Sequence, residues 1–168
     1  MRERHLRLAL ALQGSRQADP EALTEHFCGA GHLERAGEYA EQAAEQAAGA
    51  LAFDRACMLY RLAIRLRPPP TPADTRRLMG GLADALANAG RSAEAAEAYR
   101  DAAAASMGAE ALELRRLVAD HLLRAGHFDD GIAALRLVLS EVGMRLPDGP
   151  RAALAALLPP SPAHGALL

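Results

Sequence analysis

The 168-residue sequence contains no lysine: each of its 19 basic residues is arginine. A phosphate-binding loop needs a Lys on the phosphates, a protein kinase needs one on its third strand, and a Schiff-base enzyme needs an amine. This segment can supply none of them. Tryptophan is absent too, Phe and Tyr number three each, and Ile64 and Ile132 are the only isoleucines. Residues that favour strands are too few to build a sheet. Cys28 and Cys57 are the only cysteines, and both fall on apolar helix faces, where reduced core thiols are expected before a disulfide or a metal site. A net charge of -2 lacks the basic excess that marks nucleic-acid binding. No stretch approaches the roughly 18 apolar residues of a membrane span. The apolar run Leu6 to Leu12 is broken by Arg7 and followed by Gln13-Gly14-Ser15-Arg16, without the small-residue site of a secretion signal. A cytoplasmic protein is expected, with no nucleic acid and no membrane among its partners.

What is present is a helix-former's composition: 51% hydrophobic and 24% charged residues, dominated by Ala, Leu, Arg and Glu. Small side chains let helix axes approach closely, so many shallow contacts replace a few large ones. Turn signals cut the chain into helix-sized pieces. Helices are expected over about 2–13, 20–30, 32–48, 52–66, 73–89, 92–106, 109–125 and 128–142. Asp19-Pro20 supplies an N-cap and a first-turn proline. Pro68-Pro69-Pro70-Thr71-Pro72 forms the clearest break. Residues 1–147 form one helical-repeat domain in this reading. Residues 148–168 hold a short apolar helix (Arg151 to Leu158) and a proline-rich tail expected to be poorly ordered. Leu154, Leu157 and Leu158 offer no polar cap, which fits either a missing neighbour or a loose terminus. In the third helix, Glu34, Glu38, Glu41 and Glu45 recur along one side, and Leu33, Ala36, Ala40, Ala43 and Ala47 along another.

Self-similarity sets the expected architecture. One pattern recurs: a turn Gly, a small residue, an aromatic or apolar residue, then another small or apolar one. It reads Gly90, Ala95, Tyr99, Ala102; then Gly31, Ala36, Ala40, Ala43; then Gly126, Gly131, Leu135, Val138. A fourth copy, Ala56, Tyr60, Ala63, lacks the Gly. The Gly ends the first helix of a hairpin in a left-handed conformation, the small residue permits a close crossing, and the aromatic fills the wedge towards the next hairpin. Gly90 and Gly126 stand 36 residues apart, near the roughly 34-residue tetratricopeptide period. Gly31 and Gly90 are too far apart for one repeat, so the third helix is read as shared between two hairpins. An all-α fold follows, a tetratricopeptide-like α-solenoid of antiparallel hairpins.

Several stretches resemble the helical-repeat region of large bacterial signalling ATPases. They are Asp19-Pro20-Glu21-Ala22-Leu23 through His26-Phe27, Ala30-Gly31-His32-Leu33-Glu34-Arg35-Ala36, Ala52 to Ala63, and Leu82 to Arg91. In that class a nucleotide-binding domain precedes the repeats, and some members carry a serine/threonine kinase domain. The resemblance implies a protein or peptide partner and covalently linked ATPase or kinase domains. It transfers no catalytic residue, because none of the family's catalytic motifs falls in this chain.

No constellation of catalytic, cofactor-binding or metal-ligating residues emerges. His26, Cys28 and His32 lie close together, with Cys57 as a further ligand type, but their spacing is not that of a zinc site. His121 and His127 with Asp129-Asp130 read as a helix end and its charge complement before a His-Asp catalytic pair. Arg55, Arg61 and Arg65 line the fourth helix beside the acidic side of the third, as a ladder of ion pairs or as a docking surface. Arg76, Arg77, Arg115 and Arg116 lie on first helices of hairpins, which line the concave face of a tetratricopeptide stack. They are the candidate contacts to an acidic peptide terminus. The function expected is a protein-interaction or sensor module of a multidomain bacterial ATPase or kinase, or else a free-standing adaptor.

Overall fold

The computed structural model describes residues 1–15, 18–66, 71–147 and 149. Among these, eight helices and no strand occur: α1 (Arg2–Gln13), α2 (Pro20–Ala30), α3 (Leu33–Gly49), α4 (Phe53–Leu66), α5 (Pro72–Asn88), α6 (Ser92–Ala104), α7 (Gly108–Arg124) and α8 (Phe128–Glu141). Each helix packs against the next in sequence, and α3 also touches α5. The result is a helical solenoid. The short helix expected at Arg151 to Leu158, the tail after it and Pro68 to Pro70 lie outside the described residues.

The turns show why the hairpins close where they do. Gly31, Gly90 and Gly126 hold φ of 85°, 75° and 84°. At each, the left-handed residue donates its N–H three residues back and its successor donates five back, as in Gly90 N–H to Ala87 O (3.1 Å) and Arg91 N–H to Leu86 O (2.9 Å). The copy without Gly makes the same turn. Leu51 takes φ 60° there, and Ala52 N–H reaches Ala47 O at 2.8 Å. Leu51 therefore carries a strain of about 1–2 kcal/mol that Gly would avoid. With this turn at both ends, α3 closes one hairpin with α2 and opens another with α4. At α2, the Asp19 carboxylate accepts from the Glu21 N–H at 3.0 Å, and Pro20 fills the first helical position.

The repeat positions do what their sizes suggest. Ala36, Ala56 and Ala95 are fully buried at the crossings. At the fourth crossing a Cβ on Gly131 would come within 2.7 Å of the Leu123 side chain and 3.1 Å of its backbone nitrogen, so α8 lies unusually close to α7. Tyr60 wedges against α5, where a Cβ on Gly81 would fall 2.6 Å from its ring. Tyr99 reaches back to α5, its hydroxyl donating to Asp84 at 2.6 Å, while its ring stacks on His121 of α7 at 5.4 Å. A main core runs from α3 to α7, and a smaller one gathers Ala9, Leu23, Phe27 and Ala36. In the smaller, Phe27 stacks on Tyr39 at 5.4 Å beneath the Arg35 guanidinium at 4.3 Å.

Two details of α3 depart from the expected faces. Glu41 is buried at 4% exposure, whereas Leu33 is half exposed. Because α3 serves two hairpins and also meets α5, its buried arc is wider than a single stripe and takes in Glu41, which pairs there with Arg77. Cys57 is buried and Cys28 half-buried, and burial pushes both thiols above the usual range, which favours the neutral form.

Tyr99 carries the expected register, so Tyr99→Ala should lower unfolding stability in urea by about 3–5 kcal/mol. An unchanged unfolding midpoint would contradict its place in the wedge.

Candidate interaction surfaces

Ion pairs sort the helices into two layers. On the odd-numbered side, Arg77 of α5 reaches Glu41 of α3, and Arg76 Nε lies 3.2 Å from Glu110 of α7. On the even-numbered side, Arg55 of α4 pairs with Glu21 of α2, and Arg61 Nη2 donates to Glu94 of α6 at 2.7 Å. Each of these four bridges skips one helix and ties hairpins together; Arg115 with Glu141 instead joins α7 to α8 within one hairpin. Arg55 and Arg61 thus bypass the acidic side of α3: they point along their own layer, to α2 and α6.

The four arginines expected to meet a peptide terminus are therefore already engaged. Arg77 also donates to Asp74 at 2.8 Å, Arg115 pairs with Glu141, and Arg116 donates to Glu113 through Nε and Nη2 at 2.9 and 2.7 Å. The Arg116 bonds hold the Glu113 carboxyl below the usual carboxylate range. Thr71 completes the α5 end, its hydroxyl accepting from the Asp74 N–H at 3.2 Å and donating to the Asp74 carboxylate at 2.7 Å. All four side chains stay about half exposed. They are accessible, with their charge balanced.

The even-numbered side carries concavities that the sequence did not announce. An open groove of about 210 Å³ runs between α4 and α6 over α5, with Met79, Leu82 and Leu86 in its floor and Glu94, Glu97 and Asp101 on the α6 wall. A second of about 190 Å³ lies between α6 and α8 over Leu122 of α7, bounded by Glu97, Arg100, His127 and Asp130. Glu97 lines both. Arg91 and Arg61 neutralise Glu94 and keep its carboxyl below the usual range. Glu97, Asp101 and Asp130 have no ion-pair partner among the described residues. The spacing of Glu94, Glu97 and Asp101 was readable as one helical edge. That this edge overhangs a groove depended on α4 and α6 standing apart across α5. A larger open concavity, about 670 Å³, lies along the outer face of α1 between Arg4, Arg7 and Leu8.

The histidines and cysteines are redistributed. His26 meets His5 of α1, Nδ1 to Nδ1 at 3.2 Å, and Gly29 makes room, since a Cβ there would lie 2.7 Å from the His5 ring. His32 packs edge-on against Phe27 at 6.3 Å. Nothing in the local spacing linked His5 to His26, which lie 21 residues apart. Among the described residues no three of His, Cys, Asp and Glu are placed to hold a metal ion. No described helix is long and apolar enough to cross a membrane. His127 borders a groove, whereas His121 is buried beneath Tyr99, so the two do not form one cluster with Asp129 and Asp130.

No family model matches the chain, and no curated protein matches it. Among solved structures it is similar to the crystal structure of BtubC (BKLC) from P. vanneervenii, with a TM-score of 0.51 and 16% identity over 98% of this chain and 77% of that one. At that identity the likeness concerns the fold alone.

The buried His121 makes stability pH-dependent. Burial pushes its pKa below 6.5; the neighbouring Arg124 and Arg116 act in the same direction, and Asp120 and Asp84 oppose them. Its Nδ1 has no hydrogen-bond partner among the described residues. The unfolded chain therefore binds a proton that the folded chain resists. The stability this neutral histidine contributes is complete above about pH 6.5 and is lost as pH falls towards the depressed folded value. Urea titrations from pH 7.5 to 5 should show a decline that His121→Phe reduces; equal slopes in both proteins would contradict it.

Proposed function

We propose that this chain is a protein-interaction module, a cytoplasmic sensor segment within a multidomain bacterial signalling ATPase or serine/threonine kinase. The observation that carries the interaction reading is the ridged even-numbered side, where α6 stands between two grooves and presents unpaired carboxylates above apolar floors. Ion pairs that skip a helix stiffen the surface beneath, so a bound segment meets a preformed shape and spends little free energy ordering it. The link to an ATPase or kinase rests on the sequence resemblance. In that setting, occupancy of the grooves would change the restraint on the attached enzyme by favouring one arrangement of the domains.

The arginines of the odd-numbered side, Arg76, Arg77, Arg115 and Arg116, form a second contact set in this reading, able to exchange an internal carboxylate for that of an acidic peptide. The balanced charge there and the unpaired charge on α6 favour the grooves. A free-standing adaptor remains the competing function, and the size of the native polypeptide in source cells separates the two: a band well above 17.7 kDa indicates the module.

Reversing the groove charge with Glu97→Arg and Asp101→Arg should weaken binding of the physiological partner about tenfold or more, with little change in thermal stability. Arg76→Ala with Arg115→Ala should weaken it less. The reverse order, read by calorimetry, would move the contact to the odd-numbered side.

A further inference from the structure

The groove between α4 and α6 is electrically lopsided. Three carboxylates, Glu94, Glu97 and Asp101, and one guanidinium, Arg61, line it. Arg91 donates to Glu94 through Nε and Nη2 at 2.8 and 2.7 Å, and Arg61 donates through Nη2 at 2.7 Å. Both arginines are thereby committed to Glu94. Glu97 and Asp101 are exposed and have no ion-pair partner among the described residues. The groove between α6 and α8 differs, because Arg100 and His127 line it together with Glu97 and Asp130. Below the α6 carboxylates, Leu82 and Leu86 close the floor, and half-buried Met79 supplies apolar surface that adapts to shape. At about 210 Å³ the groove is smaller than the roughly 300–1,000 Å³ of a pocket that encloses a small molecule. It has room for one side chain of a longer segment.

We propose that this groove takes an extended cationic segment of a partner protein, with two Arg or Lys residues on Glu97 and Asp101 and a Leu- or Met-sized side chain between them in the groove. This rests on the interaction reading above and adds the sign and chemistry of the partner. Glu97 and Asp101 stand one helical turn apart, about 6 Å along α6. Alternate residues of an extended peptide lie about 6.7 Å apart on one side, so two cations separated by one residue match that edge. The side chain between them points away from α6, over Met79 and the leucine floor. Exposed ion pairs are individually weak, so the two pairs and the apolar anchor act together, and salt weakens the complex. An acidic segment meets like charge along the same edge and is turned away.

Amide NMR titration of the full chain with the blocked peptide Gly-Ser-Arg-Leu-Arg-Ser-Gly, to about 2 mM, tests this. The expected shifts lie at the amides of 79–86 and 94–101. Glu97→Gln with Asp101→Asn should weaken binding about tenfold with the melting temperature unchanged, and Ser in place of the peptide's Leu should weaken it about threefold or more. Glu34→Gln with Glu38→Gln removes the same charge at the same spacing from α3 and should leave binding as it was. Equal weakening by the two variant pairs overturns the proposal, because it shows attraction to net charge alone. A Gly-Ser-Glu-Leu-Glu-Ser-Gly peptide that shifts the amides around Arg76 and Arg115, while the arginine peptide shifts none, overturns the cationic occupant and leaves the interaction reading standing. Silence from both peptides overturns the proposal and removes both surfaces from the interaction reading.

Discussion

Glu41 brings a carboxylate into the layer between α3 and α5, and Arg77 meets it there. A carboxylate removed from water is tolerated only when a cation and hydrogen bonds replace its hydration. Arg77 is in turn steadied by Asp74, which Thr71 holds at the start of α5. The chain of contacts thus runs from the middle of the shared helix to the capped end of the next hairpin. Small alanine contacts permit several sliding arrangements of similar energy; a buried charge permits only the one in which its partner is in reach. The pair ties the register of α3 to that of α5, alongside the broader packing of each on α4.

The same device recurs more weakly at the surface. Arg55 to Glu21, Arg61 to Glu94 and Arg76 to Glu110 each span to the next helix but one. Exposed pairs of this kind contribute about 0–1 kcal/mol each, so they set alignment more than they set stability. An all-arginine complement suits this work, because a guanidinium is planar, always charged and able to engage two oxygens at once. Glu97 and Asp101 of α6 stay outside these bridges and keep their charge at the groove edge.

The helices and their turns were largely legible in the residues. Gly31, Gly90 and Gly126 each mark a left-handed hairpin turn, and Asp19-Pro20 marks a helix start, because these signals act within a few residues. The turn between α3 and α4 was hidden by Leu51, which adopts the glycine conformation without being one. The small and aromatic repeat positions were readable for the same reason: their spacing is local and their sizes have one use. Pairings were not. That Glu41 is interior, that Arg61 seeks Glu94 and not α3, and that His5 meets His26 all depend on helices distant in sequence coming into register. The arginines Arg76, Arg77, Arg115 and Arg116 were legible as a charged set. Their carboxylate partners were not, because three of the four engage another helix, namely Glu110, Glu41 and Glu141.

A double-mutant cycle on Glu41 and Arg77, using Glu41→Gln and Arg77→Met with urea unfolding, tests most directly whether this pair sets the register. Each single change should destabilise, and the coupling between them should be about 1–3 kcal/mol, less than for a fully buried pair because Arg77 is half exposed. Additive effects, with coupling near zero, would mean that alanine packing alone holds α3 against α5 and would contradict the account.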